Sequence, residues 1–148
     1  MTTPLVRIVD DDADARSSSS FFLSMMGLEI KEYDSAYRFL EEDDMNRPGC
    51  IILDVRMPDM TGMELQVKLN QKDCRLPIIF LSGHGELDMA VHALKRGASD
   101  FLQKSAKPER LLAAVKKAVT ASMEEYESGN EIETCLLYTS PSPRDRST

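Results

Sequence analysis

Apolar residues recur along this chain in two alternating rhythms. Short apolar runs are Leu5–Val9, interrupted only by Arg7, and the solid Cys50–Leu53 and Ile78–Leu81. Each is too short for a helix and is bounded by polar or turn-forming residues, so each reads as a strand buried on both faces. Leu28–Tyr33 alternates apolar and polar, the pattern of an edge strand with one wet face. Ser99–Leu102 is a fifth, shorter strand.

Between these runs the period changes to that of helices. Ala15, Ser19, Phe22, Leu23 and Met26 form one stripe, with Asp11 or Asp12 as its cap and Gly27 as its stop. Ser35 caps a second helix bearing Ala36, Phe39 and Leu40 and ending near Met45. A third runs from about Gly62 to Gln71 on Met63, Leu65, Val67 and Leu69, and a fourth from Glu86 to Arg96, stopped by Gly97. Pro108, in a position that tolerates a missing N–H, opens a fifth on Leu111, Leu112, Val115, Ala118 and Val119. That helix is expected to stop near Glu127, before Ser128-Gly129-Asn130. Strands alternating with helices predict an α/β protein: five βα units forming a doubly wound parallel sheet.

The strand ends carry the chemistry. Leu5–Val9 runs into Asp10-Asp11-Asp12, Cys50–Leu53 into Asp54, Ile78–Leu81 into Ser82, and Phe101-Leu102 is soon followed by Lys104. Open parallel sheets place ligands at the carboxyl ends of their strands. Capping explains one or two of the first three aspartates, but three in a row repel one another unless a cation neutralises them. Acid pair, acid, hydroxyl and ammonium, side by side, make a site for a divalent cation and a phosphoryl group. Asp11 and Asp54 are hard oxygen donors of the kind octahedral Mg²⁺ prefers.

These residues, with LDVRMPDMTGMEL and SGHGELDMAVHALKRGASDFLQK around them, resemble the receiver domain of two-component response regulators, the CheY-like superfamily, and within it the FixJ/NarL type. The likeness runs from about Leu5 to Met123. It implies a flavodoxin-like (βα)5 fold with strand order 2-1-3-4-5. It implies phosphorylation of Asp54 by a sensor histidine kinase, with Mg²⁺ bound by Asp11 directly, by Asp10 through water, by Asp54, and by the backbone carbonyl of Arg56. Lys104 would pair with the phosphoryl group, while Ser82 and Phe101 would report its arrival to a dimerisation face of helix 4, strand 5 and helix 5. Family members carry Lys-Pro with a cis bond after strand five. Here Lys104-Ser105 stands instead, and a trans peptide is expected because a non-proline cis bond costs ~2.5–4 kcal/mol.

Composition narrows the setting. The 148 residues are 42% hydrophobic and 29% charged, ordinary for one globular domain. A net charge of −7 argues against direct nucleic-acid binding. DNA would be reached only through a helix-turn-helix output domain missing here, in a parent transcriptional regulator. No apolar run approaches the ~20 residues of a membrane helix. The start reads as free of a signal peptide, and the three cysteines lack metal spacing, so the cytoplasm is the expected home. Residues 4–123 read as the receiver and 124–134 as the start of a linker. Residues 135–148 lack periodicity and resemble the translation of a transposase adapter used in DNA library preparation, so a non-native tail is expected.

Two other readings use the same residues. A haloacid-dehalogenase-type phosphatase would employ Asp10 and Asp12, but needs a later acidic pair in a place where none stands, and leaves Asp54 idle. A flavodoxin-like cofactor binder would need a phosphate-cradling loop where the three aspartates lie.

Overall fold

A computed structural model describes residues 3–83 and 87–135. Five strands, β1 (Leu5–Val9), β2 (Glu29–Tyr33), β3 (Gly49–Asp54), β4 (Ile78–Ser82) and β5 (Asp100–Gln103), alternate with five helices. These are α1 (Ala13–Met25), α2 (Ala36–Glu42), α3 (Gly62–Gln71), α4 (Leu87–Lys95) and α5 (Pro108–Cys135). All strand pairs are parallel, in the order β2-β1-β3-β4-β5. The expected doubly wound fold is therefore the observed one.

The solid apolar strands are buried on both faces because helices cover both. On β3, Ile51 and Leu53 face one core with Phe39 of α2, Leu65 and Leu69 of α3 and Ala93 of α4. Cys50 and Ile52 face the other with Leu23 of α1 and Leu111, Val115 and Val119 of α5. The edge strand β2 leaves Glu29, Lys31 and Glu32 exposed and buries Tyr33.

Several boundaries differ from the sequence reading. Helix α2 stops at Glu42 rather than near Met45, because Asp43 turns extended and sends its carboxylate inward to Arg7. Met26 lies beyond α1 as its C-cap and is 45% exposed, so the α1 stripe buries only Leu23 fully. On α3, Val67 is exposed and Gln66 is buried. Helix α5 passes through Ser128-Gly129-Asn130 and ends at Cys135. One interior glycine costs only about 1 kcal/mol, and there is no proline to break the helix. The Lys104–Ser105 peptide is trans, as is every described peptide bond. The Gly83-His84-Gly85 turn falls largely outside the described residues, as do Glu86 and the tail from residue 136.

Candidate functional site

Strand register assembles the site. Val9 pairs with Leu53, so Asp10 and Asp54 leave neighbouring strands at the same level. Asp54 pairs with Leu81, which places Ser82 one residue further out; Ser82 pairs with Gln103, one residue before Lys104. The Lys104 N–H donates to the Ser82 carbonyl over 2.7 Å and ties the two strand ends together.

The turn after β3 is shaped by two local devices. Thr61 caps α3 in a reciprocal box with Glu64, a Thr-x-x-Glu spacing visible in the sequence. Gly62 follows, pressed so closely on β3 that a Cβ there would stand 2.2 Å from the Asp54 carbonyl oxygen. The chain can leave β3 and turn into α3 this tightly only with glycine at that point.

Carboxylate oxygens of Asp10, Asp11 and Asp54 all lie within 4.8 Å of one another. Asp10 and Asp54 are 3% and 5% exposed, whereas Asp11 faces solvent. Lys104 Nζ stands 3.1 Å from Asp10 Oδ2 and 3.4 Å from Asp54 Oδ2. Asp54 Oδ1 also accepts from the Arg56 N–H over 3.3 Å. Burial first, then the neighbouring Asp10 charge, push the Asp54 carboxyl up to about 7, against the opposing pull of Lys104 and the Arg56 N–H. Burial works against the Lys104 ammonium, but Asp10 and Asp54 outweigh it and raise its pKa.

One ammonium thus fails to balance the carboxylates around it, and a pocket short of positive charge with an all-oxygen donor set suits a hard divalent cation. Oxygens spread over less than 4.8 Å come close to the roughly 4.2 Å span of opposite ligands at octahedral Mg²⁺ distances.

Asp12 takes no part in that cluster's donor set. Its carboxylate caps α1, accepting from the N–H groups of Asp14 and Ala15, which removes the acid that the phosphatase reading required. Ser82 is 1% exposed at the end of β4. Phe101 is half-buried on β5, its ring centroid 5.8 Å from that of Phe80. Arg16 also reaches the site. Its Nη1 donates to the Asp10 carbonyl over 2.6 Å and its Nε to Glu32 Oε1 over 3.2 Å. A basic residue near the start of a helix, against the dipole, is the sequence signal that could have drawn attention to it.

Known proteins share this fold. The family model described as "Response regulator receiver domain" matches residues 6–116. The transcriptional regulatory protein TdiR of Thauera aromatica is 40% identical over 126 residues, covering 85% of this chain and 56% of TdiR. The response regulator protein TmoT of Ectopseudomonas mendocina is 40% identical over 143 residues, 96% of this chain and 65% of TmoT. The chain therefore spans between half and two thirds of these relatives. Among solved structures, the response regulator StyR superimposes with a TM-score of 0.87 at 34% identity, covering 97% of this chain and 73% of that one. The crystal structure of FixJ-N gives 0.75 at 38%, covering 81% of this chain and 96% of that one.

Proposed function

This chain belongs to the response regulator receiver domain family, and from that premise we propose that it is the phospho-acceptor of a two-component signalling system, with Asp54 as the residue phosphorylated. The observation that carries the reading is the convergence on Asp54: a buried carboxylate at a strand end, 3.4 Å from the Lys104 ammonium and grouped with Asp10 and Asp11.

An Asp54 oxygen attacks the phosphorus of a phosphohistidine on a sensor histidine kinase. The P–O bond forms as the P–N bond breaks, and the imidazole leaves with the bonding pair. Asp10, Asp11, Asp54 and the Arg56 carbonyl would hold Mg²⁺, which when bound supplies the charge that lets a carboxylate approach a phosphoryl dianion. Lys104 neutralises the transferred oxygens, since phosphoryl transfer depends chiefly on positioning and electrostatic stabilisation. The Ser82 hydroxyl and the Phe101 ring are the readout. Their rearrangement would alter the face of α4, β5 and α5, where Val91 and Leu94 are 52% and 47% exposed, and favour a homodimer.

Residues 4–123 form the receiver and 124–134 begin a linker, which here continues α5. The tail from 135 is read as foreign to the native protein. A parent that regulates transcription through a DNA-binding output domain is supported by relatives such as TdiR, named a transcriptional regulatory protein. No described helix is long and apolar enough to cross a membrane.

Intact mass after incubation with acetyl phosphate and Mg²⁺ tests the chemistry. One phosphoryl adduct that needs Mg²⁺ and disappears in Asp54→Ala is the expected result. An adduct that persists in Asp54→Ala and is lost in Asp10→Ala would overturn it.

A further inference from the structure

We propose that Arg16 is a positioning residue for the cation site, holding the peptide plane between Asp10 and Asp11 so that both carboxylates face Asp54. The inference rests on the reading of Asp10 and Asp11 as Mg²⁺ ligands.

The backbone of Asp10 is gripped from two sides. Its N–H donates to the Tyr33 carbonyl of β2 over 3.1 Å. Its carbonyl accepts from Arg16 Nη1 over 2.6 Å. Because a peptide unit is planar, fixing that carbonyl also fixes the Asp11 nitrogen and the direction in which Asp11 leaves the strand. The Asp10 side chain is held as well: Oδ1 accepts from the Asp12 N–H over 2.9 Å, and Oδ2 lies 3.1 Å from Lys104 Nζ. Asp11, the exposed member of the cluster, inherits its orientation from the peptide that Arg16 holds.

Arg16 is itself aimed. Its Nε donates to Glu32 on β2, and its side chain is only 18% exposed. The guanidinium thus spans α1, the end of β1 and β2. Its planar fork serves the carbonyl and the carboxylate together, which a single ammonium cannot do in the same geometry. Its place in the early part of α1 runs against the helix dipole, so the two acceptors offset an unfavourable location.

Charge and positioning have opposite signs here, which makes the proposal testable. A cation beside a cation site repels the incoming ion. If Arg16 acted through its charge alone, Arg16→Ala would tighten Mg²⁺ binding. If it positions the ligands, Arg16→Ala weakens binding despite the removal of that repulsion.

Calorimetric titration of the full chain with Mg²⁺, repeated with Mn²⁺, would compare wild type, Arg16→Ala, Arg16→Lys, Glu32→Gln and the Arg16→Ala/Glu32→Gln double variant. Arg16→Ala is expected to weaken Mg²⁺ about tenfold, the scale of outer-shell partners that orient metal ligands. Arg16→Lys should recover part of that loss. Glu32→Gln should weaken binding by less, and by nothing further once Arg16 is gone. The Arg16→Ala deficit in phosphoryl uptake should shrink as Mg²⁺ saturates. Unchanged or tighter Mg²⁺ binding in a folded Arg16→Ala, checked by its Tm in EDTA, overturns the proposal. Should Arg16→Ala fail to fold, wild-type affinity in both Arg16→Lys and Glu32→Gln overturns it. A wild-type protein that takes no Mg²⁺ would instead refute the receiver reading beneath it.

Discussion

Arg7 Nε donates to Asp43 Oδ2 over 2.9 Å, with side-chain exposures of 0% and 3%. An ion pair between strand β1 and the C-cap of α2 is thereby sealed in the interior. Arg7 also donates to the carbonyls of Leu5 and Arg47, and Tyr33 donates its hydroxyl to Asp43 over 3.0 Å. Arg7 thus bonds the carbonyl of Arg47, in the loop between α2 and β3, and through Asp43 the end of α2.

Removing one partner strands the other in the core. Asp43→Ala should cost about 3–5 kcal/mol in urea unfolding, while Arg7→Met/Asp43→Leu should cost less than either single change. Burial opposes ionisation of Asp43, but donors from Arg7, Met45 and Tyr33 outweigh it and lower its pKa. A carboxyl lowered on folding stabilises above its unfolded pKa and loses that contribution as pH falls through the folded value. The gap between wild type and Asp43→Asn should therefore be constant above about pH 5 and narrow below about pH 4.

The crowded carboxylates predict that function costs stability. Asp54→Asn removes one negative charge from beside Asp10, and in EDTA at pH 8 should raise Tm by about 3–5 °C, the effect of ~1 kcal/mol in a domain of this size. Mg²⁺ at a hundredfold excess over its Kd should stabilise the wild type by about 2.7 kcal/mol. That increment should be lost in Asp54→Asn and in Asp11→Asn. Thermal scans with EDTA and with Mg²⁺ read both signs.

Gly62 ties the fold to the site. Its added Cβ would stand 2.2 Å from the Asp54 carbonyl oxygen and 3.2 Å from Leu53 Cγ. Gly62→Ala should destabilise by about 1–3 kcal/mol and slow phosphoryl uptake, because the backbone that yields is that of Asp54. Gly83→Ala, whose Cβ meets nothing within 4 Å among the described residues, should stay within about 0.5 kcal/mol. Urea curves and a mass-spectrometric time course for the two variants make the comparison.

Gln66 and Asn70 of α3 hold the carboxyl end of α4. Gln66 Nε2 donates to the Ala93 carbonyl over 3.0 Å and Asn70 Nδ2 to the Arg96 carbonyl over 3.2 Å. Gln66 Oε1 is buried with no hydrogen-bond partner among the described residues. Gln66→Leu removes that unsatisfied acceptor, and Ala93 keeps backbone donors from Arg96 and Ala98. It should cost under about 1 kcal/mol. Gln66→Ala leaves a cavity and should cost about 2 kcal/mol or more. Hydrogen exchange should quicken in α4 for both variants, since both release its carboxyl end.

The alternation of strand and helix, the doubly wound class and the polar residues at the four strand ends are all legible in the chain's local pattern. All of these are encoded locally, in solid apolar runs, in helical stripes and in residues that follow a strand directly. Asp54, Asp10 and Lys104 could be named because parallel strands bring their carboxyl ends to one edge. Arg7, Gln66 and Arg16 could not be placed in that way. A charged residue in a strand, an amide on a helix and a base in a first turn all read as solvated until their partners are known. Those partners lie 36 residues away for Arg7, 27 for Gln66 and 16 for Arg16 with Glu32. Which polar groups are buried depends on how the chain packs, because burying one is tolerable only when a distant segment supplies its hydrogen bond.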